Sequence, residues 1–174
     1  KSLHFEIVRT NSLGLALGGA SGKSARGRFR DLPLFRDDGA PNTSLVAAYA
    51  VLKAETVNIA DAYTEKGFDF SGTRKFDEVT GYRSKSFLTV PMKNHENEII
   101  GVLQLINAVN HEAGIVREFS AADQQLAESL ASQQMQAGPS SGLNVLQAIL
   151  GPLAQVANMN RAAEADSAYE QNRM

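Results

Sequence analysis

Two apolar runs lie almost end to end near the middle of the chain, SFLTVPMK at 86–93 and EIIGVLQLINAV at 98–109, with only NHEN between them. Four polar residues are too few for a crossover helix, so the runs must pair antiparallel as a hairpin. Strand alternation puts Ile100, Val102 and Ile106 on one face and Ile99, Leu103 and Leu105 on the other. A hairpin apolar on both faces needs cover on both, so it is expected at the centre of a sheet with something packed on each side. The elements around it must supply that cover.

The composition limits what else such a fold can do. Cysteine is absent, which removes disulfides, thiolate zinc sites, thiol nucleophiles and thioether-linked chromophores. His4, His95 and His111 share no ligand spacing, so no metal centre is expected. A formal net charge of −2 gives no basic face, and no nucleic-acid partner is implied. No apolar run approaches the roughly 20 residues that cross a bilayer, and KSLHFEIVRT lacks the features of a signal peptide. The expectation is a cytoplasmic protein with no membrane partner.

Residues 2–10, SLHFEIVRT, alternate Leu3, Phe5 and Ile7 with more polar neighbours and read as a strand. A paired strand at the first residue suggests that N-terminal elements of the domain are missing. Residues 9–43 are glycine-rich and loop-like; GGASGKS imitates a phosphate-binding loop but has Leu17 where the pattern needs glycine. Lys23, Arg26, Arg28 and Arg30 then read as a solvated loop.

PNTSLVAAYAVLKAE predicts a helix of about three turns, capped by Asn42 or Thr43, with Leu45, Ala48, Tyr49 and Leu52 inward. TVNIADAYT is extended, and the stretch to residue 85 reads as an aromatic loop bearing Phe68, Phe70, Phe76 and Tyr82. FSAADQQLAESLASQQMQ predicts a helix with Ser120 at its N-cap, Asp123 three residues on, and an apolar stripe of Leu126, Ala127 and Leu130. AGPSSG breaks it. The last segment spaces Leu143, Leu146, Ile149, Leu150, Leu153 and Val156 helically around Gly151-Pro152, which divides the chain into 1–136 and a linker with a C-terminal helical segment at 137–174.

The order of elements, and above all TGYRSKSFLTVPMKN followed by IIGVLQLINA, resembles the GAF domain family of small-ligand sensors over residues 1–135. AETVNIADAY at 54–63 and the run to SLASQ look most like the bacterial GAF domains that precede HD-GYP-type phosphodiesterases. The resemblance implies an α+β, PAS-related fold: a central antiparallel sheet, helices on one face, and a pocket on the other covered by the short helix and the aromatic loop. It also implies no resident cofactor, a small-molecule or nucleotide ligand, homodimerisation through C-terminal helices, and an output domain elsewhere in the parent chain. Cyclic-nucleotide-binding members carry an Asn-Lys…Phe-x3-Asp-Glu motif. Asn107, Phe119 and Asp123 match it, but Ala108 stands for the lysine and Gln124 for the glutamate, so the motif's lysine–aspartate pair cannot form.

The candidate ligand-binding residues are Asn58, Asp61, Phe68, Phe70, Thr73, Tyr82, Arg83, Ser84 and Ser86, because aromatic rings interleaved with polar groups suit a flat polar ligand. Two readings stand for the loop: a ligand-contacting lid, or side chains that merely pack on the core. Arg83 divides likewise between clamping a phosphate or carboxylate and lying solvated on the surface. Asp123 is read chiefly as a charge matched to the helix dipole, and Asn107 as the end of a strand. No enzyme is expected, since Asp37-Asp38 and Asp77-Glu78 are sequence neighbours that point apart without a positioned base. The family's methionine-sulfoxide reductases and bilin photosensors both need cysteine. The two functional readings are therefore a ligand sensor and an unliganded dimerisation module.

Overall fold

The computed structural model describes residues 1–110 and 112–133. Readings on His111, on the AGPSSG break and on the 143–156 helix fall outside the described residues.

The described chain contains nine short strands and three α-helices. In order they are β1 (Ser2–Leu3), β2 (Val8–Thr10), β3 (Leu15–Leu17), β4 (Leu32–Pro33), α1 (Val46–Lys53), β5 (Val57–Ile59), α2 (Ser71–Thr80), β6 (Phe87–Lys93), β7 (Ile99–Ile106), β8 (Ala108–Asn110), β9 (Ile115–Arg117) and α3 (Ala121–Gln133). The central sheet is antiparallel, in the order β5-β6-β7, and the remaining described strands form three two-stranded pairs, β1-β4, β2-β3 and β8-β9.

The hairpin forms as its sequence dictates. Leu88 faces Leu105 and Val90 faces Leu103, and the turn closes through the Asn94 N–H to the Glu98 carbonyl, 2.9 Å, with Asn97 at φ 62°. Leu88, Val90, Met92, Leu103 and Leu105 pack against Ala127 and Ala131 of α3 and against Phe119. On the opposite face Phe87 joins Val46 of α1, Ile59, Ala62 and Phe70, its ring 5.2 Å from that of Phe70. β6 is thus sealed on both sides, and even Thr89 is fully buried, its hydroxyl accepting from Gln104 Nε2 at 3.0 Å. Burying a phenylalanine such as Phe87 contributes about 2–3 kcal/mol.

The expectation of cover on both faces fails for β7. It is the outer strand of the sheet, and on the face away from α3 Ile100 is 62 % and Ile106 39 % exposed. The reason is length: α1, with eight residues, is about 12 Å long, whereas the eight residues of β7 extend about 26 Å. A helix that short covers the middle of the strand, where Val102 is half-buried, and leaves its ends bare.

Other expectations are corrected too. The first strand is two pieces, β1 and β2, and the glycine-rich loop contributes their partners β4 and β3. α1 is capped by Leu45 without a side-chain hydrogen bond and is little over two turns long. Asn42 is instead buried, donating to the Pro33 carbonyl at 2.9 Å and accepting from Ser44 Oγ at 3.0 Å. Ten residues of the aromatic loop are helical, as α2, which ends on Gly81 in the left-handed conformation at φ 70°. Polar composition hid that helix: only Asp77 of its residues is buried. In α3 the inward stripe is Ala127 and Ala131, while Leu126 is 61 % exposed.

Candidate functional site

The segment from Asp61 to Ser86 folds over the far face of β6. Asp61 starts it with a turn, its Oδ1 accepting the Tyr63 N–H at 2.9 Å, which favours aspartate at that place. Phe70 then enters the core, and Phe68, half-buried, meets Tyr49 of α1 edge-on with centroids 5.3 Å apart. α2 returns the chain toward the sheet, with Thr73 half-buried on it.

The anchor of this segment is Asp77, which the sequence brought forward only as half of the Asp77-Glu78 carboxylate pair. It is 4 % exposed, and its carboxylate accepts from Tyr63 Oη at 2.7 Å, the Ser84 N–H at 2.7 Å and Ser84 Oγ at 2.8 Å. A buried carboxylate satisfied this way stays in place without a cation. Tyr63, donating to it, has its phenol pKa raised, first by that hydrogen bond and then by burial. The Arg83 guanidinium lies over the Tyr63 ring, 4.0 Å from the centroid, and the residue is exposed. No carboxylate among the described residues forms an ion pair with it.

Asn107 ties the end of this segment to the sheet. At φ 63° it turns the chain from β7 into β8, and its side chain donates to Tyr82 Oη at 2.9 Å and the Arg83 carbonyl at 2.8 Å, while accepting the Lys85 N–H at 2.7 Å. Asparagine tolerates this left-handed conformation better than most residues. Ser86, fully buried, accepts the Asn107 N–H on its carbonyl at 2.8 Å and the Ala108 N–H on Oγ at 3.1 Å.

The candidate residues therefore fall into two groups. Tyr82, Arg83, Ser84 and Ser86 gather around Asn107 and Asp77. Asn58 does not join them: paired across from Leu88, its side chain lies on the α3 side, where its amide donates to the Phe119 carbonyl at 3.0 Å. Phe119 packs in the α3 cluster. Asp123 sits in the first turn of α3 in a reciprocal capping box, accepting the Ser120 N–H at 2.7 Å and offering its own N–H to Ser120 Oγ at 3.2 Å.

Asp123 also has a cation, although the motif's lysine is absent. Arg117 Nη1 reaches Asp123 Oδ2 at 2.6 Å and Nη2 reaches Oδ1 at 3.3 Å, and Arg117 pairs directly across from Ala108 on the β8-β9 ladder. The hydrogen bonds from Arg117, with those from Ser120 behind them, hold the Asp123 carboxyl well below the usual carboxylate range. Only the strand pairing makes Arg117 visible as the replacement, because six residues separate it from Asp123 in sequence.

An open groove of ≈ 680 Å³ lies elsewhere, at the turn end of the hairpin, between Lys93, Asn94 and His95 and the Glu128–Ala131 region of α3. Neither Phe70 nor Tyr82 lines it. Among the described residues no group of three histidine, aspartate or glutamate side chains is placed to hold a metal ion, and no helix is long and apolar enough to cross a membrane.

A family model described as the GAF domain matches residues 16–137. Dual 3',5'-cyclic-AMP and -GMP phosphodiesterase 11A of Takifugu rubripes is 44 % identical over 62 residues, 36 % of this chain and 6 % of that protein. Dual 3',5'-cyclic-AMP and -GMP phosphodiesterase 11 of Drosophila melanogaster is 36 % identical over 84 residues, 48 % of this chain and 5 % of that protein. Only a small fraction of each relative is therefore matched, and neither lends support to the finer likeness to HD-GYP-type proteins.

Proposed function

Because the chain belongs to the GAF domain family, we propose that it is the ligand-sensing regulatory domain of a cytoplasmic signal-transduction protein. The ligand is a small molecule, with a cyclic nucleotide first in line because the relatives are named for cyclic-AMP and cyclic-GMP. Its contacts would come from Asp61, Phe68, Thr73, Tyr82 and Arg83, while Ser84 and Ser86, buried and bonded to Asp77 and the Ala108 N–H, would hold that loop in place. The observation that carries the reading is Arg83: held against the Tyr63 ring and free of any carboxylate among the described residues, its guanidinium has donors available for a phosphate.

Ligand binding would favour the state in which 61–86 is closed over the sheet, and that shift in population would reach α3 and the 137–174 segment, through which two copies would pair. The chemistry would reside in an output domain of the parent chain, for which the relatives point to a cyclic-nucleotide phosphodiesterase in place of an HD-GYP-type enzyme.

One observation favours the second reading, an unliganded dimerisation module. Phe70, one of the aromatic residues expected to contact the ligand, is packed by Val46, Ile59, Ala62 and Phe87. Thermal denaturation with cyclic GMP and cyclic AMP separates the two. A ligand at 100 times its dissociation constant adds about 2.7 kcal/mol, or about 8 °C for a domain of this size, and Arg83→Ala should remove the shift. Unchanged melting at millimolar levels of both nucleotides, with dimerisation intact, would leave the module.

A further inference from the structure

The Tyr82–Ser86 group lies at the start of β6, around Asn107, and Asn58, Phe119 and Asp123 lie on the α3 side of the sheet, yet a continuous set of contacts joins them. Asn107 holds Tyr82, Arg83 and Lys85 with its side chain, and the next residue, Ala108, begins β8 with its N–H fixed on Ser86 Oγ. Ala108 is buried and pairs with Arg117 across the β8-β9 ladder. Arg117 in turn grips Asp123 with two guanidinium nitrogens and the Glu118 carbonyl with one, at 2.8 Å. Asp123 closes the capping box of α3.

We infer that Arg117 is a positioning residue that couples the 82–86 loop to the start of α3, with the β8-β9 hairpin as the lever between them. Three features argue for it. The lever is short, three residue pairs, so a displacement of Asn107 cannot be absorbed within it without breaking a ladder bond. Both its ends are held by side chains with several bonds each, which resist rotation better than single contacts. And α3 packs on the sheet through Ala127 and Ala131, whose short side chains give little grip against tilting, leaving the N-terminal fastening to set the helix position. The inference rests on the sensor reading for what is transmitted; the coupling itself belongs to the unliganded chain.

Amide hydrogen exchange on the whole chain tests it. In Arg117→Gln the Ser120 and Asp123 amides should exchange about threefold to fivefold faster, as for a partly exposed ion pair. The coupling adds a remote effect: the Lys85 amide, bonded to Asn107 Oδ1, should accelerate as well, and Arg117→Lys should restore most of the protection. Tyr82→Phe reads the reverse direction and should accelerate the Ser120 amide, since coupling is reciprocal. Changes confined to 117–124 in the Arg117 variant and to 82–86 in the Tyr82 variant would overturn the inference. Millimolar cyclic GMP, added to each, should slow both Lys85 and Asp123 in the wild type but only Lys85 in Arg117→Gln. If the nucleotide slows neither, the sensor reading fails, while the coupling still stands or falls on the unliganded comparison.

Discussion

Tyr63 and Asp77 meet at 2.7 Å through a phenol and a carboxylate, joining the turn after β5 to the second half of α2. The same carboxylate holds the backbone and hydroxyl of Ser84 just before β6 begins, so three parts of the 61–86 segment converge on one buried anion. The fold of that segment is thus set by a polar centre as much as by Phe70.

Asp77→Ala should therefore be among the costly substitutions in the chain. It strands two buried donors of Ser84 and one of Tyr63, and about 3 kcal/mol of stability is expected to go, measured by urea denaturation. Asp77→Asn keeps one acceptor and should lose about half as much. A spectroscopic check accompanies it: the Tyr63 phenol, whose pKa is raised chiefly by this bond, should ionise at lower pH in Asp77→Asn, seen by ultraviolet titration.

The packing of α3 predicts an asymmetry between adjacent residues. Ala127 is buried, 2 % exposed, in the cluster with Leu88 and Val90, so Ala127→Leu should cost about 1–3 kcal/mol through overpacking. Leu126→Gln, one residue earlier but exposed, should stay within about 0.5 kcal/mol. Thermal melts of the two variants measure both.

Asp123 should carry part of the acid sensitivity. Its folded-state pKa is depressed, mainly by Arg117, so its contribution to stability is complete above the pKa of an unfolded aspartate, near 4. That contribution fades as the pH falls below 4 toward the depressed folded value. Asp123→Asn should be less stable than the wild type at pH 7 and show a flatter decline between pH 4 and pH 2, in denaturation curves taken across that window.

The sequence announced the elements whose patterning is strong and concealed those built from polar contacts. The β6-β7 hairpin and the Ser120–Asp123 capping box were legible because alternation and cap spacing are local signals. α2 was not, since SGTRKFDEVT has only Phe76 and Val79 as large apolar residues, both exposed, and its one buried side chain, Asp77, is held by partners 7 and 14 residues away. Arg117 escaped for a similar reason: its meaning depends on standing across from Ala108. The bare ends of β7 followed from the length of a helix that begins two or three residues later than its capping residues suggested. Asn58 had the right residue type for a ligand contact but the wrong strand parity, which register alone reveals.

Gly18 supplies a last and sharp prediction for the N-terminal region. Its backbone, at φ 74° and ψ 178°, occupies a region essentially closed to residues with a side chain. A Cβ there would lie 1.9 Å from the Glu6 carbonyl oxygen and 3.0 Å from Ile7 Cα, so the neighbour that must yield is backbone. Glu6 cannot retreat cheaply, because its carboxylate is paired with Arg26 and the strand beginning two residues later is paired with β3. Gly18→Ala should thus open the β2-β3 hairpin, at a cost of about 3 kcal/mol. Gly14→Ala, at φ 60° with no atom within 4 Å of the added methyl, should cost only about 1 kcal/mol. Limited proteolysis distinguishes them: trypsin should cut after Arg9 much faster in Gly18→Ala than in Gly14→Ala, and equal rates would mean that the close approach of Gly18 to Glu6 does not constrain the hairpin.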